Sequence, residues 1–320
     1  MDIDTLHTRR AASRRALRRR RQAAAGALAA IAAIAAAIVA LSSSGGAGHA
    51  TAGRVPAGHG ATRIGAGVRP ERGGGVRTWR PGDEPAPILM YHVIAPAPAG
   101  APFPGLYVTP AEFAAQMRAL KRVGWTAVTL DELAAYWREG VSLPAGKPIV
   151  VSFDNGYHSQ FAQALPILRR LGWVGDENIQ LTGLPPSQGG LSEREVRALL
   201  AAGWELDTQG TSHADLIALD AAELHGQVAR TRTILQRRYH VPVNWFCYPS
   251  GHYDATVVAA VRAAGYDGST TVVPGWAHRD DDPYRLHRLR VLGGTSPSAL
   301  LSLLGEVRDD PPAPASYGGA

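Results

Sequence analysis

The sequence predicts an α/β fold built on parallel strands, and three observations carry that expectation. Short apolar runs rich in β-branched residues, Ile149 to Val151 foremost, are separated by longer segments of helical period. Helix starts are marked by capping boxes, at Thr109-Pro110-Ala111-Glu112 and at Ser192-Glu193-Arg194-Glu195. Several strand ends then run into polar residues, as strands do when they share one functional rim. Strands alternating with helices imply a parallel sheet with helices outside it. Fewer than eight clear units fit the chain, so a barrel made from them is small or incomplete.

In chain order, Ile88 to Tyr91 reads as a strand and the first capping box opens a helix with Phe113, Met117 and Leu120 on its apolar face. A strand from Thr126 to Leu130 and a helix from Asp131 to Trp137 come next. The Ile149–Val151 strand runs into Asp154-Asn155-Gly156-Tyr157, and a helix continues to about Leu171. Further strands are expected at Asn178–Thr182, Trp204–Thr208, Trp245–Tyr248, Gly268–Thr271 and Leu286–Val291. Helices are expected from Ser192 to Ala202, from Asp220 to Tyr239, from Asp254 to Ala264 and from Pro297 to Leu304. No internal repeat is visible.

Outside this domain, predicted over residues 86–308, the composition changes sharply. Eight of the 33 basic residues lie in the arm 1–22 against two of the 27 acidic ones, leaving 25 of each sign elsewhere. The net charge of +6 therefore belongs to the arm, and the neutral body gives no support for nucleic-acid binding. Residues 23–41 are uncharged and apolar, long enough to cross a bilayer as a helix; an alanine-rich soluble helix is the competing reading. Arginines before such a run place the N-terminus in the cytoplasm and the rest outside. The expected location is thus the cell membrane with a single pass, or the exterior if the segment is cleaved near Gly48 and Ala50. Ser13-Arg14-Arg15-Ala16-Leu17 also has the look of a twin-arginine export signal. Residues 42–85 form a Gly/Pro-rich flexible linker and residues 309–320 a disordered tail by composition. Cys247 is the one cysteine, which excludes an internal disulfide and a multi-cysteine metal site.

Polar residues gather at the strand ends. Tyr91-His92 closes the first strand and Asp154-Asn155 the central one. Glu205-Leu206-Asp207 leads to Gln209 and His213, and Cys247-Tyr248 leads to Pro249 and His252. Gly268 to Thr271 precedes Trp276, and His287 lies within the last strand. Singly, each has a structural reading: an Asx-turn for Asp154-Asn155, a local hydrogen bond for a histidine. Parallel strands would bring them into one cavity.

Here the sequence resembles the polysaccharide deacetylase family, carbohydrate esterase family 4. Ser152-Phe153-Asp154-Asn155-Gly156-Tyr157 is similar to the family's T-F-D-D-G-Y. The segment from Glu205 to His213 resembles its E-I-G-x-H-T-x-S/T-H, and that from Phe246 to Asp254 its F-x-Y-P-x-G-x-Y-D. Ile88-Leu89-Met90-Tyr91-His92 is similar to the branch beginning I-L-M-Y-H. The resemblance implies a distorted (β/α)7 barrel that hydrolyses N-acetyl, less often O-acetyl, groups on cell-wall or capsular sugars. It implies a polysaccharide or peptidoglycan-type glycan as substrate and a divalent metal, zinc or similar, as cofactor. Carried over by residue, Asp154 is the base, and Asn155, Gln209 and His213 occupy the ligand positions. A main-chain N–H near Tyr248 holds the oxyanion, and Trp276 walls the acetyl pocket. His92, Tyr157, Pro249 and His252 complete the pocket.

The departures from the family are chemical. Asn155 stands where a ligand aspartate is expected, and Gln209 where a ligand histidine is expected. Two amide oxygens and one imidazole lack the charge and the nitrogen donor of a good zinc site. Asp207 is either a substitute carboxylate or a solvated surface residue. His252 sits where arginine is common, and His287 lies near the acid position without the L-x-H spacing. Two functions follow: a membrane-tethered deacetylase with an altered metal site, or a carbohydrate-binding pseudoenzyme on the same barrel. A nucleic-acid or anionic-lipid role for the arm ranks behind both.

Overall fold

The computed structural model describes residues 82–308, apart from 183 and 185–188, and residues 311–319. The basic arm, the apolar run 23–41 and the linker up to residue 81 lie outside the described residues. Among the described residues no helix is long and apolar enough to cross a membrane.

Eight strands run in parallel: β1 (Ile88–Tyr91), β2 (Trp125–Ala127), β3 (Lys147–Asn155), β4 (Asp176–Ile179), β5 (Glu205–Thr208), β6 (Trp245–Cys247), β7 (Gly268–Thr270) and β8 (Leu289–Arg290). Their order is β7-β6-β5-β4-β3-β1-β8, with β2 pairing the start of β3. The sheet's two ends meet through the segment before β8. Thr271 N–H donates to Leu286 O at 2.9 Å and Arg288 N–H to Val273 O at 3.1 Å, while β8 pairs β1. Residues 286–290 therefore lie between β7 and β1 and curl the sheet into a barrel-like body.

Helices cover the outside: α1 (Pro110–Arg122), α2 (Leu130–Glu139), α3 (Leu165–Arg170), α4 (Glu193–Ala201), α5 (Ala221–Gln227), α6 (Ala229–Tyr239), α7 (Ala255–Ala263) and α8 (Pro297–Glu306). Both expected capping boxes form, at Thr109/Glu112 and Ser192/Glu195, and two more close α2 and α5. Two helices differ from expectation. The helix after β3 begins with a π turn, Gln160–Ala164, where Pro166 withdraws an N–H from the ladder. The long helix expected from Asp220 to Tyr239 breaks at Val228. There the Gly226 carbonyl accepts from the Thr211 hydroxyl and Gln227 reaches the loop after β5.

Period-two alternation sorts the strand residues. Leu89, Tyr91, Val151 and Phe153 face outward against Phe113, Met117, Leu300 and Leu304 of α1 and α8. Ile88, Val150, Trp245 and Leu286 join Leu130 and Trp137 in a second cluster. A third packs Leu206, Phe246 and Tyr248 under α5 to α7. The tail expected to be disordered is docked over residues 311–318. Tyr253 and Tyr317 exchange two backbone hydrogen bonds of 2.8 Å, and the Tyr253 hydroxyl donates to Pro314 O at 2.7 Å. Ordering entropy is offset there by Ala313 and Tyr317 packing on the domain, which composition alone does not reveal.

Above the apolar layer the strands carry buried carboxyls. Asp176 accepts the Leu130 N–H at 3.1 Å and Glu205 the Asp131 N–H at 2.8 Å, so the N-terminus of α2 faces both. Asp207 accepts the Trp245 N–H at 2.9 Å and shares a hydrogen bond with Glu205. Burial, reinforced by neighbouring carboxylates, pushes Asp176, Glu205 and Asp207 well above the ordinary carboxyl range. Protonation of one of the two carboxyls would let the otherwise orphaned Glu205 Oε1 and Asp207 Oδ2 bond each other. The expectation that Asp207 is solvated or a metal ligand is thus corrected. It is fully buried within this acidic layer, because its alternation on β5 directs it into the barrel.

These raised values have a definite sign. The folded chain keeps protons that the unfolded chain releases near 3.8 for Asp and 4.5 for Glu. This contribution is present below those values and is lost as pH rises toward the folded-state values. The melting temperature is expected to fall as pH rises above the unfolded values of 3.8 and 4.5, and Asp207→Asn to flatten that fall. Thermal melts across pH check it; an unchanged slope in the variant would rule out that protonation.

Candidate active site

The C-terminal ends of β1, β3, β5 and β6 form one mouth, and its centre is Asp154. Asp154 is 1% exposed, yet burial does not neutralise it. Burial pushes its carboxyl up, but the guanidinium of Arg288 outweighs that and holds it below the usual carboxylate range. The contact is bidentate: Nη1 donates to Oδ1 at 2.7 Å and Nη2 to Oδ2 at 2.9 Å. Arg288 also donates to Ser152 Oγ at 3.2 Å, to Thr271 O at 2.8 Å and to Cys247 Sγ at 3.2 Å. Asn178 Nδ2 adds a bond to Asp154 Oδ1 at 3.2 Å.

His92 stands across from Asp154, its Nε2 at 3.9 Å from Oδ2. Burial, aided by Arg290, Arg288 and His213 against the pull of Asp154, lowers its pKa to about 4. The imidazole is therefore neutral at pH 7. His213 is lowered for the same leading reason and feels both Asp154 and His252. Gln160 of the π turn ties β1 to β3 by donating to His92 O at 2.9 Å and Asp154 O at 2.8 Å.

The turn after β3 is built from left-handed residues, Asn155 at φ 78° and Gly156 at φ 84°. Asparagine tolerates that region, and at Gly156 a Cβ would stand 2.7 Å from Ile179 Cγ1. Asn155 Nδ2 donates to Gln180 Oε1 at 2.6 Å, and Gln180 Nε2 to Thr182 O at 2.6 Å. Gln209 is buried, and its Oε1 has no partner among the described residues. The loop to His213 is pinned by Gln227, whose Oε1 accepts the N–H of Thr211 at 2.9 Å and of Ser212 at 3.1 Å. His252 contacts Asp215 Oδ1 at 3.1 Å, and Tyr317 of the docked tail lies 6.5 Å from its ring. Tyr157 is half-buried near Asp154, its phenol pushed up to about 12 by burial. A surface depression of about 500 Å³ between Gly293 and Ser302 contains none of these side chains.

Mutual electrostatic perturbation thus joins Asp154 with His92 and His213, and His213 with His252. Three expectations are corrected. His287 is directed at Pro274 O, 2.7 Å from its Nδ1, because it alternates out of the barrel while Arg288 alternates in. The Tyr248 N–H is spent on Thr270 O at 3.3 Å and Pro249 has none, so neither supplies the oxyanion donor; the Tyr248 hydroxyl donates to Tyr284 O. Trp276 packs edge-on to Trp125, which pairs the start of β3, and donates to Leu304 O at 3.0 Å. It belongs to the core at the far end. Sequence reasoning also passed over Arg288, Arg290, Asn178 and Gln180. The usable signal was the inward alternation of residues 286, 288 and 290.

Comparison with known proteins bears on the family. Residues 143–269 match the model described as polysaccharide deacetylase. The matched segment is similar to the polysaccharide deacetylase family. A relative from Bacillus subtilis (strain 168), YxkH, provisionally named a polysaccharide deacetylase, is 28% identical over 69% of this chain and 77% of its own. A Bacillus anthracis structure, likewise provisionally named, is 26% identical at TM-score 0.61, covering 69% of each chain. The Streptococcus pyogenes deacetylase PplD, solved with acetate, shares the fold at TM-score 0.63 and 24% identity over 70% of this chain and 99% of its own. His92, Arg288 and Arg290 lie outside the matched residues.

Deacetylases of this family generally use a divalent metal, and the donor set here does not fit one. The ligand positions offer two neutral amides and one imidazole, and the guanidinium of Arg288 is already bonded to both oxygens of Asp154. Among the described residues no three His, Cys, Asp or Glu side chains are placed to hold a metal ion. Asn155→Asp combined with Gln209→His restores the missing charge and nitrogen. Zinc affinity, read by calorimetry on the purified chain, is expected to rise at least about tenfold. A folded double variant with unchanged affinity would show that these positions do not converge.

The buried pair yields a second expectation. Arg288→Met or Asp154→Leu alone strands a buried charge and is expected to cost about 3–5 kcal/mol. The double change removes both charges and is expected to recover most of that in urea unfolding. Additive losses would refute the coupling.

Proposed function

We propose that this domain removes acetyl groups, N-acetyl in preference to O-acetyl, from an extracytoplasmic amino-sugar polymer. The observation that carries the reading is an ionised Asp154 at the mouth, oriented by Arg288 and faced by neutral histidines. A carboxylate so held can accept a proton from an attacking water at Oδ2, where the bond to displace is the weak one from Cys247 Sγ at 3.5 Å. It then returns that proton to the departing nitrogen. Gln209, with no side-chain hydrogen bond among the described residues, offers an amide N–H toward the carbonyl oxygen. The family and the deacetylase names of its relatives support this chemistry, and the apolar run 23–41 supports a tethered or exported domain.

A second reading, a carbohydrate-binding pseudoenzyme, is favoured by one observation: the positions of the metal ligands hold neutral amides at Asn155 and Gln209. Acetate release from acetylated chito-oligosaccharides by the full chain separates the two. Release is expected after chelator treatment, and Asp154→Asn, checked for folding by a melt, is expected to lower kcat by about 10²–10⁴. Release only with added zinc, cobalt or manganese would overturn the donor-set argument. Glycan binding without release under every condition would establish the pseudoenzyme.

A further inference from the structure

We infer that the end of the domain opposite the mouth is a docking face for a bilayer bearing anionic headgroups. That face is marked by the N-terminal ends of the strands. Three segments meet there that hold no acidic residue, 113–130, 140–153 and 156–175. They carry Arg118, Lys121, Arg122, Lys147, Arg169 and Arg170. All six are exposed, and none makes an ion pair among the described residues. Lys121 and Arg122 end α1, Arg169 and Arg170 end α3, and Lys147 begins β3. Arg118 lies one turn before Arg122 on α1. These ends touch. Lys121 Nζ donates to Leu171 O at 3.0 Å, just past α3, and Lys147 N–H donates to Gly124 O at 2.9 Å, just past α1. The cations therefore form one patch. Helix dipoles favour a cation in a last turn, but Lys147 begins a strand and owes nothing to a dipole. A surface made only for solubility intersperses both signs. Here a body whose charges balance overall has sorted them by face.

Apolar side chains stand at the same end. Val123 follows Arg122 and is 45% exposed, and Val141, past the end of α2, is 50% exposed. They are two of the three large apolar side chains exposed among the described residues. The third, Ile217, lies in a turn after β5 at the mouth end. Exposed apolar tips in a basic field suit the boundary between headgroups and acyl chains. There the tips are buried and the cations meet phosphates. A soluble polyanion would use the cations and leave the valines in water. The chain also enters the domain at this end. Glu84 N–H donates to the Tyr136 hydroxyl at 3.3 Å, and Trp137 Nε1 donates to Glu84 O at 2.8 Å, both near the end of α2. The uncharged apolar run 23–41 precedes that point in the sequence. Glu84 and Glu139 are the carboxylates that border the patch, while Asp83 pairs with Arg279 and Asp267 with Arg138. Docked in this way, the domain turns its mouth away from the bilayer.

The test uses the full chain with a fluorophore on Ala145→Cys, in the exposed loop before β3, or on Ile217→Cys at the mouth end; Cys247 is buried. Each is added to vesicles of phosphatidylcholine, alone or mixed with phosphatidylglycerol, that contain a nitroxide-headgroup lipid as quencher. Two labels on one domain cancel whatever brings the whole chain to the vesicle, the arginine arm included. In the anionic vesicles, quenching at residue 145 is expected to exceed that at 217 by about threefold or more, and the excess to shrink as salt rises. Arg122→Gln, Arg169→Gln and Arg170→Gln together are expected to remove the excess with an unchanged melting temperature. Acetate release from soluble oligosaccharides by that variant is expected to stay as in the wild type. Val123→Ser with Val141→Ser is expected to reduce the excess. Equal quenching at the two labels, an equal excess in pure phosphatidylcholine, or an undiminished excess in the triple variant overturns the face. Removal of the excess by polyphosphate, with no loss in the valine double variant, would assign the patch to a soluble polyanion instead.

Discussion

The ion pair between Arg288 and Asp154 ties the last strand segment to the third across the inside of the barrel. Neither partner can leave the other without stranding a charge in a place water does not reach. The pair therefore constrains where residues 286–290 sit between β7 and β1, and with them the closure of the sheet. It also sets the charge state of the mouth. A buried carboxyl would ordinarily protonate, as the acidic layer below does, and Asp154 stays ionised only because a guanidinium occupies both of its oxygens. Lysine could not do this, since a single ammonium cannot bridge two oxygens while also reaching Ser152, Thr271 and Cys247.

Two polar layers of opposite character are stacked in this interior. The lower holds protonated acids steadied by the N-terminus of α2. The upper holds an ionised pair, neutral histidines and neutral amides. The family's metal supplies concentrated positive charge at its ligand residues. Here the positive charge belongs to the protein, in Arg288, and two of the three ligand positions are amides. The two changes fit together: a mouth whose carboxylate already has its own cation has less to gain from a divalent ion.

Much of the fold was legible, and the misses have physical causes. Ile88–Tyr91 and both predicted capping boxes formed as read, because local periodicity and cap chemistry act over a few residues. The break at Val228 was not legible, because it depends on Thr211 and Gln227 meeting across a loop. The docked tail was missed because a Pro/Gly-rich composition says nothing about a tyrosine that finds a partner strand. In the site, Asp154 and its neighbours were found through motifs, but His287 was chosen over Arg288. The histidine is the more familiar catalytic type, and only the alternation of the strand shows which of two adjacent side chains enters the barrel. Trp276 was placed in the pocket by resemblance, yet its ring packs at the opposite end.

The sequence alone determined the strand–helix alternation, the resemblance to a family, and the fact that Asn155 and Gln209 stand where that family's motifs have ligands. Those are properties of residue type and spacing, and no folding can alter them. Only the tertiary structure decided which charges meet. The partner of Asp154 lies 134 positions away, and Asp207, which reads as a surface residue, is fully buried in the interior. Charge states follow burial and distance, and both come into being only when strands remote in the chain are brought side by side.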